Sequence, residues 1–556
     1  MESAVSHVML SRDSLPPMAS SRVFQQSDAL TASDTGARAL VPPTAKLLDA
    51  LLGNVTLASG PHESIEVLAP YTGAAIGAIP AGTVADLDLA VERARAAQME
   101  WSKRAFAERA SVFLRFHDLL LERQDQVLDL IQWETGKARR HAFEEVMDTA
   151  IVARYYARRA EGLLRPRRRK GALPLLTRTM ELKSPVGVVG FIAPWNYPLN
   201  LAVTDATPAL MAGNSAVLKP DIQTSFTALW ALDLLRQAGL PRDAFAIVTG
   251  DGPLLGPALS ERVDFIMFTG STRTGRLVAR QAAERLIGCS LELGGKNPML
   301  VLADADLDAA VNGAIQGCFA SAGQVCVAIE RIYVHESIAA RFLEGLVERT
   351  RALKLGASLD YSMEIGSLTA ERQLQRVEEH VRDAVEKGVV LLTGGRRRPD
   401  LGPLFYEPTV LTHVTEKMQV FAEETFGPVV SVYPFAGEAE AVERANATRY
   451  GLNASVWTRD TSRGARLAQE IRAGNVNVNE SYAATWGSVD APCGGRKESG
   501  MIPRHGAEGI LKFTETQTVA VQRLMPVGAP RSMDAAVHAR WMTRLLKLVR
   551  RVRVLG

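Results

Sequence analysis

The sequence predicts an α/β protein built around parallel sheet. Short apolar segments such as VGVVGFIAP (186–194) and SAVLKP (215–220) alternate with segments of helical spacing. That alternation marks strands joined by crossover helices. The 556 residues are 47% hydrophobic and 22% charged. Such a chain is ordinary globular protein with room for several domains at roughly 100–200 residues each, and extensive disorder and coiled coil are excluded.

In chain order, residues 1–43 are rich in Ser, Ala, Asp and Thr, show no period and end in Val41-Pro42-Pro43, so they read as a flexible arm. Residues 83–103 have helical spacing, with Thr83 as N-cap. A second helical stretch runs over 110–136 and ends at Gly136. The basic run Arg165-Pro-Arg-Arg-Arg-Lys170 precedes a strand-like segment that reaches Lys183, after which strands and helices alternate without internal repeat. No run nears the roughly 18 apolar residues of a membrane span. The opening MESAVSHVMLSRDSLPPMASS lacks a basic start followed by an apolar core, so no secretory signal is read.

Cys289, Cys318, Cys326 and Cys493 form no Cys-x-x-Cys pair, which excludes a disulfide framework and leaves a zinc or other metal site unexpected. A reduced, cytoplasmic compartment is expected. The net charge of +3 is uneven: residues 531–556 carry +6, leaving −3 on the rest. A near-neutral body argues against nucleic acid as partner.

Several apolar strands end in small or polar turns: Trp195-Asn196-Tyr197-Pro198, Lys219-Pro220, Thr249-Gly250-Asp251-Gly252 with Gly256, and Gly270-Ser271 with Gly275. These are the carboxyl edges at which open α/β sheets bind ligands, and a Gly-Ser that opens a helix offers free N–H groups to a phosphate. Glu292, in LELGGKN, lies 34 residues before Cys326, in GQVC. A thiolate is a nucleophile, and a carboxylate beside it can take protons from it or from water. Singly, each motif has a plainer reading. A lone Cys is usually buried structure, Asn196 before Tyr-Pro can form a turn, Trp195 and Phe426 can be core, and Glu424 and Lys219 can face water.

Taken together with Glu424-Thr425-Phe426-Gly427-Pro428, Gly474 to Asn479 and Pro492-Cys-Gly-Gly495 followed by Lys497-Glu-Ser-Gly500, the chain resembles the NAD(P)-dependent aldehyde dehydrogenase superfamily over about residues 45–523. Within it, the chain looks closest to the succinate-semialdehyde dehydrogenases. The resemblance implies a Rossmann-like cofactor domain (44–170 and 186–292), an α/β catalytic domain (293–510) and a small β oligomerisation element (171–185 and 511–525) of a homodimer or homotetramer. It also implies that Cys326 attacks the aldehyde and that Asn196 holds the oxyanion with the Cys326 N–H. Glu292, which coenzyme A-dependent members lack, then activates water to hydrolyse the thioester. Trp195 and Ser271 would meet the pyrophosphate of NADP or NAD, and Lys219 the adenosine ribose. Glu424 would hold the nicotinamide ribose with Phe426 beside it, while Gly250, Gly270 and Gly295 sit where backbone nears the cofactor. Cys289, Cys318 and Cys493 read as structural thiols, and the basic run as a strand end or subunit contact.

Two departures bear on specificity. Arginines that succinate-semialdehyde enzymes carry six residues before the nucleophile and eight after the oxyanion Asn are Ala320 and Thr204 here, so a terminal carboxylate lacks its expected partners. Succinate semialdehyde is the expected substrate, with an aromatic or medium-chain aldehyde as the alternative. A Glu that NAD-selective relatives place three residues after the lysine is Ile222, which admits NADP, while the adjacent Asp221 keeps NAD open.

Beyond the resemblance lies a basic tail, 526–556. At 100° per residue from Arg540, Trp541, Met542, Leu545, Leu546, Leu548, Val549 and Val552 share one arc, and Arg540, Arg544, Lys547, Arg550 and Arg551 the other. Packing of the apolar arc on its own subunit or a neighbour is expected, with contact to an anionic membrane surface as the alternative.

Overall fold

The structure, a computed structural model, describes residues 40–172, 177–523 and 526–550. Most of the expected arm and the tail's Arg551, Val552 and Arg553 lie outside the described residues. Val41 is held where the arm ends, its carbonyl accepting from the Trp133 indole.

Two large sheets organise the chain. The first has six strands in the order Gly500–Met501, Gly288–Glu292, Phe265–Thr269, Val188–Ile192, Ser215–Lys219, Phe245–Ile247. All its pairings are parallel except that of Gly500–Met501. The second has seven, in the order Val390–Thr393, Thr409–Thr412, Val429–Phe435, Ile329–His335, Asn297–Val301, Asn453–Trp457, Asn475–Val478, with only the first pairing antiparallel. Central strands such as Ser215–Lys219 and Asn297–Val301 are buried at every residue, because crossover helices cover both faces of a parallel sheet. The chain leaves the first sheet at Glu292 and enters the second at Asn297, so that junction lies between the two cores.

The helical expectations hold in kind and shift in detail. Val84–Trp101 begins with a capping box in which Thr83 and Asp86 satisfy each other's backbone N–H. The stretch expected as one helix up to Gly136 is two, Phe106–Glu122 and Gln124–Thr135, broken at Arg123, where the backbone turns to φ −107 and ψ 19. The longest helix, Arg139–Leu164, escaped the periodicity reading because its buried face carries Arg139, Glu145 and Asp148, which hide the apolar repeat.

A third, antiparallel sheet joins Thr514–Gln522, Thr177–Pro185 and Arg167–Arg169. The basic run is therefore an outer strand, with Arg169 paired to Glu181 at 2.6 Å. In the tail, the Asp534 carboxylate accepts from the N–H groups of Ala536 and Val537, so the helix spans Ala535–Val549 and starts before the expected Arg540. Trp541, Leu546 and Leu548 stay 63%, 65% and 60% exposed, so the chain's own body does not bury them. Among the described residues, no helix is long and apolar enough to cross a membrane.

Candidate active site

Strand order in the first sheet reverses between Val188–Ile192 and Phe265–Thr269. Crevices at such a switch point, outside the carboxyl ends, bind ligands in open α/β sheets. The loops flanking it carry Trp195 and Asn196 on one side and Gly270 and Ser271 on the other. Lys219 and Glu292 close neighbouring strands.

Cys326 follows a tight turn, Ala320–Gly323, in which Ser321 and Ala322 both have left-handed backbone, φ 50 and 53. Such geometry costs about 1–3 kcal/mol per residue and persists only where surroundings over-determine it. Here they do. Ser321 N–H donates to His141 Nδ1, Gln324 Nε2 donates to the Ser321 carbonyl, and Gln324 Oε1 accepts from Thr369 N–H. Gly323, at φ +71, admits no side chain, because a Cβ would stand 2.1 Å from the Gly427 carbonyl oxygen. The Asn297 amide donates to the Cys326 carbonyl at 2.9 Å. Burial pushes the Cys326 thiol up to about 12; Arg504 counters this, while Glu292 and Glu424 reinforce it.

Asn196 is buried, and its Nδ2 donates to the Gln324 carbonyl at 3.0 Å. That bond uses one of the two amide hydrogens and fixes the direction of the other. The Asn196 loop is pinned from below, where buried Lys137 donates from Nζ to the Asn196 carbonyl at 2.5 Å and to Glu145 at 2.7 Å. The other Glu145 oxygen accepts from Leu199 and Asn200 N–H.

Glu292 is buried, and its Oε1 has no hydrogen-bond partner. Burial pushes its carboxyl up to about 7 against the pull of Arg504 and Lys512, with Asp205 raising it further.

The residues expected at the cofactor fall into two groups. Trp195 and Phe426 meet edge to face, 5.6 Å between ring centroids. Glu424 accepts from Gly295 N–H at 2.9 Å, and burial pushes its carboxyl up to about 7. Phe426 itself has φ 56 and is held by Glu330, which accepts from Thr425 and Phe426 N–H and pairs with Lys296. Farther along the edge, Lys219 is buried, which lowers its ammonium pKa, while Asp221 and Asp251 favour its charge. Ser271 caps the helix Thr272–Glu284 by accepting from Thr274 N–H, and Gly270 N–H donates to the Glu292 carbonyl. Gly250 has φ +138, and a Cβ there would stand 2.9 Å from Gly82 N, so packing alone accounts for its glycine. Lys219 and the start of the Thr272 helix form a donor set that fits a dinucleotide's phosphates and ribose.

Beside Cys326 lies a cavity of about 230 Å³ lined by aromatic and aliphatic side chains, among them Tyr197, Tyr482, Trp486 and Leu201. Among the described residues, its charged lining residues are Glu144 and Asp148, and no Lys or Arg lines it. Burial pushes both carboxyls up to about 7, with Glu144 accepting from the Tyr197 and Tyr482 hydroxyls. Ala320 and Thr204 are buried, as is the uncharged Thr204 Oγ1, which has no partner. Sequence reasoning missed Lys137, Glu145, Glu330, Glu144, Asp148 and Arg504. Each reads as a charge in a helix, strand or loop, and only the fold brings it to the site.

Residues 57–519 match the aldehyde dehydrogenase family. A Mycobacterium tuberculosis protein whose name proposes a succinate-semialdehyde dehydrogenase using NADP(+) is 48% identical over 513 residues, 92% of this chain and 98% of that one. An Escherichia coli structure described as an NADP dependent enzyme superposes with a TM-score of 0.81 at 34% identity, covering 85% of this chain and 99% of that one. A Staphylococcus aureus betaine aldehyde dehydrogenase in complex with NAD+ gives 0.81 at 30% identity, covering 88% and 99%. The strained turn before Cys326, the pinned Asn196 and the buried Glu292 thus sit in a chain that belongs to the aldehyde dehydrogenase family.

Proposed function

We propose that the protein oxidises an aldehyde to its carboxylic acid with NADP or NAD. Supporting this reading is the convergence of Cys326, Asn196 and Glu292 at the carboxyl edge of the first sheet. The cofactor, when bound, supplies the hydride acceptor. Cys326 gives its proton to solvent and its sulfur bonds the aldehyde carbon as the C=O π pair moves onto oxygen, while the free Asn196 N–H and the Cys326 N–H steady that oxyanion; losing such a donor costs about 3 kcal/mol. Hydride departure leaves a thioester on Cys326. Glu292 takes a proton from water, the hydroxyl oxygen bonds the acyl carbon, and the C–S bond breaks to release the acid.

The cavity supports an apolar aldehyde, medium-chain or aromatic. A tail carboxylate there would be buried beside Glu144 and Asp148; among the described residues no Lys or Arg lines the cavity, and the Arg504 guanidinium behind Trp486 is already paired with Asp205, so the added buried charge is disfavoured. Succinate semialdehyde is the second reading, favoured by the 48% identical mycobacterial relative. NADP is admitted because Ile222 leaves no carboxylate at that position and Asp221 caps the next turn by accepting from Gln223 N–H. We further propose a cytoplasmic homo-oligomer, with the exposed nine-residue strand Thr514–Gln522 covered by a partner, since long bare edges invite pairing.

The test is a steady-state comparison of hexanal, benzaldehyde and succinate semialdehyde, each with NADP and NAD. Hexanal or benzaldehyde should exceed succinate semialdehyde in kcat/KM by about tenfold or more, about 1.4 kcal/mol of differential stabilisation. A preference for succinate semialdehyde would establish the second reading. No oxidation of any aldehyde would overturn both.

A further inference from the structure

Behind Glu292 lies a buried group of charges that the reaction as described leaves unused. Arg504, Asp205 and Lys512 are all nearly inaccessible. Arg504 Nη2 binds Asp205 Oδ2 at 3.0 Å and Thr269 Oγ1 at 3.2 Å, and its guanidinium stands 5.5 Å from the Trp486 ring centre. Its backbone is fixed too, with Arg504 and Cys493 exchanging both N–H···O bonds at 2.8 Å. Among the described residues, Glu292 Oε1 and Arg504 Nε are both buried without a hydrogen-bond partner. They face each other at 3.9 Å.

We propose that Arg504 is a positioning residue for the hydrolytic half of the reaction, its guanidinium, anchored by Asp205, aiming the Glu292 carboxyl group and keeping it ionised. The proposal rests on the reading of Glu292 as the base. At 3.9 Å the attraction is electrostatic, so Arg504 steers the carboxylate while leaving Oε1 free to accept a proton from water. Burial works against the Arg504 charge, yet Asp205 and Glu292 overcome it and hold the guanidinium above its ordinary range. The other groups that face Glu292 or this cluster include Lys512, Cys326, Cys493, Asp148, His505 and Tyr156. Of these, burial lowers the ammonium pKa of Lys512, and it pushes His505 down to about 3, leaving that imidazole neutral at working pH.

The signs follow. A base works when ionised, so wild-type hydrolysis should rise with pH through about 7. Removing the cation disfavours the carboxylate and moves this rise to higher pH. Removing Asp205, whose negative charge pushes Glu292 up, moves it to lower pH. The experiment records, from pH 5.5 to 9, the stopped-flow burst of NAD(P)H and the steady-state rate for wild type, Arg504→Gln, Arg504→Lys and Asp205→Asn. Arg504→Gln should keep a burst of about one per site, lose about tenfold in steady-state rate at pH 7 and move the midpoint up by about one unit. Arg504→Lys should restore most of the loss, and Asp205→Asn should move the midpoint down. A midpoint that stays put in Arg504→Gln, or shifts in the same direction in Asp205→Asn, overturns the proposal. If Arg504→Gln does not fold, Arg504→Met, which keeps the buried chain length and removes the charge, takes its place with the same expected outcomes. Absence of a burst in wild type would instead refute the underlying reading of the site.

Discussion

Two buried glutamates, one in each large sheet, keep different company. Glu330, within the strand Ile329–His335 of the second sheet, accepts from Lys296 Nζ at 2.5 Å and from the N–H groups of Thr425 and Phe426. Both its oxygens are occupied, and their bonds hold the left-handed Phe426 in place. Glu292, at the end of Gly288–Glu292 in the first sheet, has an oxygen with no hydrogen-bond partner and a cation just beyond bonding distance. A carboxylate whose lone pairs are all committed can only fix geometry, whereas one with a bare oxygen can receive a proton. On the proposed reading the two sheets divide the work, the second stiffening the loops and the first supplying the reactive carboxylate.

The largest effect should come from the proposed nucleophile. Cys326→Ala removes the sulfur that bonds the aldehyde carbon, and dehydrogenase turnover and the NAD(P)H burst should both fall below a few per cent of wild type, roughly the 10²-fold loss that marks a missing catalytic group. Cofactor binding, followed by quenching of protein fluorescence, should be nearly unchanged. Retained turnover would place the nucleophile elsewhere and leave the comparison without its centre.

Next comes the pair itself. Glu292→Gln should fold normally and give a burst near one NAD(P)H per site, then turn over about 10²–10⁴-fold more slowly because the thioester persists. Glu330→Gln should behave in the opposite way. It leaves Lys296 buried without its counter-charge, a loss of about 3–5 kcal/mol, so thermal unfolding should come earlier and the burst itself should weaken as the Phe426 loop loosens. Calorimetry and stopped-flow absorbance on the two variants check this. Matching phenotypes would show that hydrogen-bond saturation does not separate the two roles.

Much of this division could be read from the sequence, though unevenly. The strand ends Trp195-Asn196, Lys219 and Gly270-Ser271 are visible because turn residues after apolar runs are a local signal, whereas Glu292 takes its role only from the family resemblance. Cys326 and Glu424 needed the accumulated resemblance, since neither stands out alone. What stayed hidden is non-local. Lys137 reaches Asn196 across 59 positions, Glu330 reaches Thr425 across 95, and Arg504 meets Glu292 across 212. No periodicity encodes such meetings, and a buried charge blurs the apolar repeat of its own helix, as Glu145 and Asp148 do in Arg139–Leu164. The tail errs the other way. Its amphipathic period was legible, but a period says nothing of what covers the face, and Trp541 remains exposed.

The smallest effect expected adds a third carboxylate to the comparison, at the edge of the first sheet. Ile222 opens the one-turn helix Ile222–Thr224, three residues after Lys219, and is only half-buried. Asp221 beside it is already committed, its Oδ1 accepting from Gln223 N–H at 3.0 Å. A glutamate at 222 would arrive with both oxygens free, as Glu292 has one, and so should act on a ligand and leave the fold alone. Facing the adenosine ribose, it would repel a 2′-phosphate and accept from free ribose hydroxyls. Ile222→Glu should therefore raise KM for NADP about tenfold, about 1.4 kcal/mol, while KM for NAD changes by about twofold or less and the unfolding temperature stays near wild type. Equal losses with both cofactors would show that position 222 faces away from the ribose. An unfolding temperature that drops as in Glu330→Gln would show that a carboxylate with free oxygens can still be structural, and would break the comparison at its simplest point.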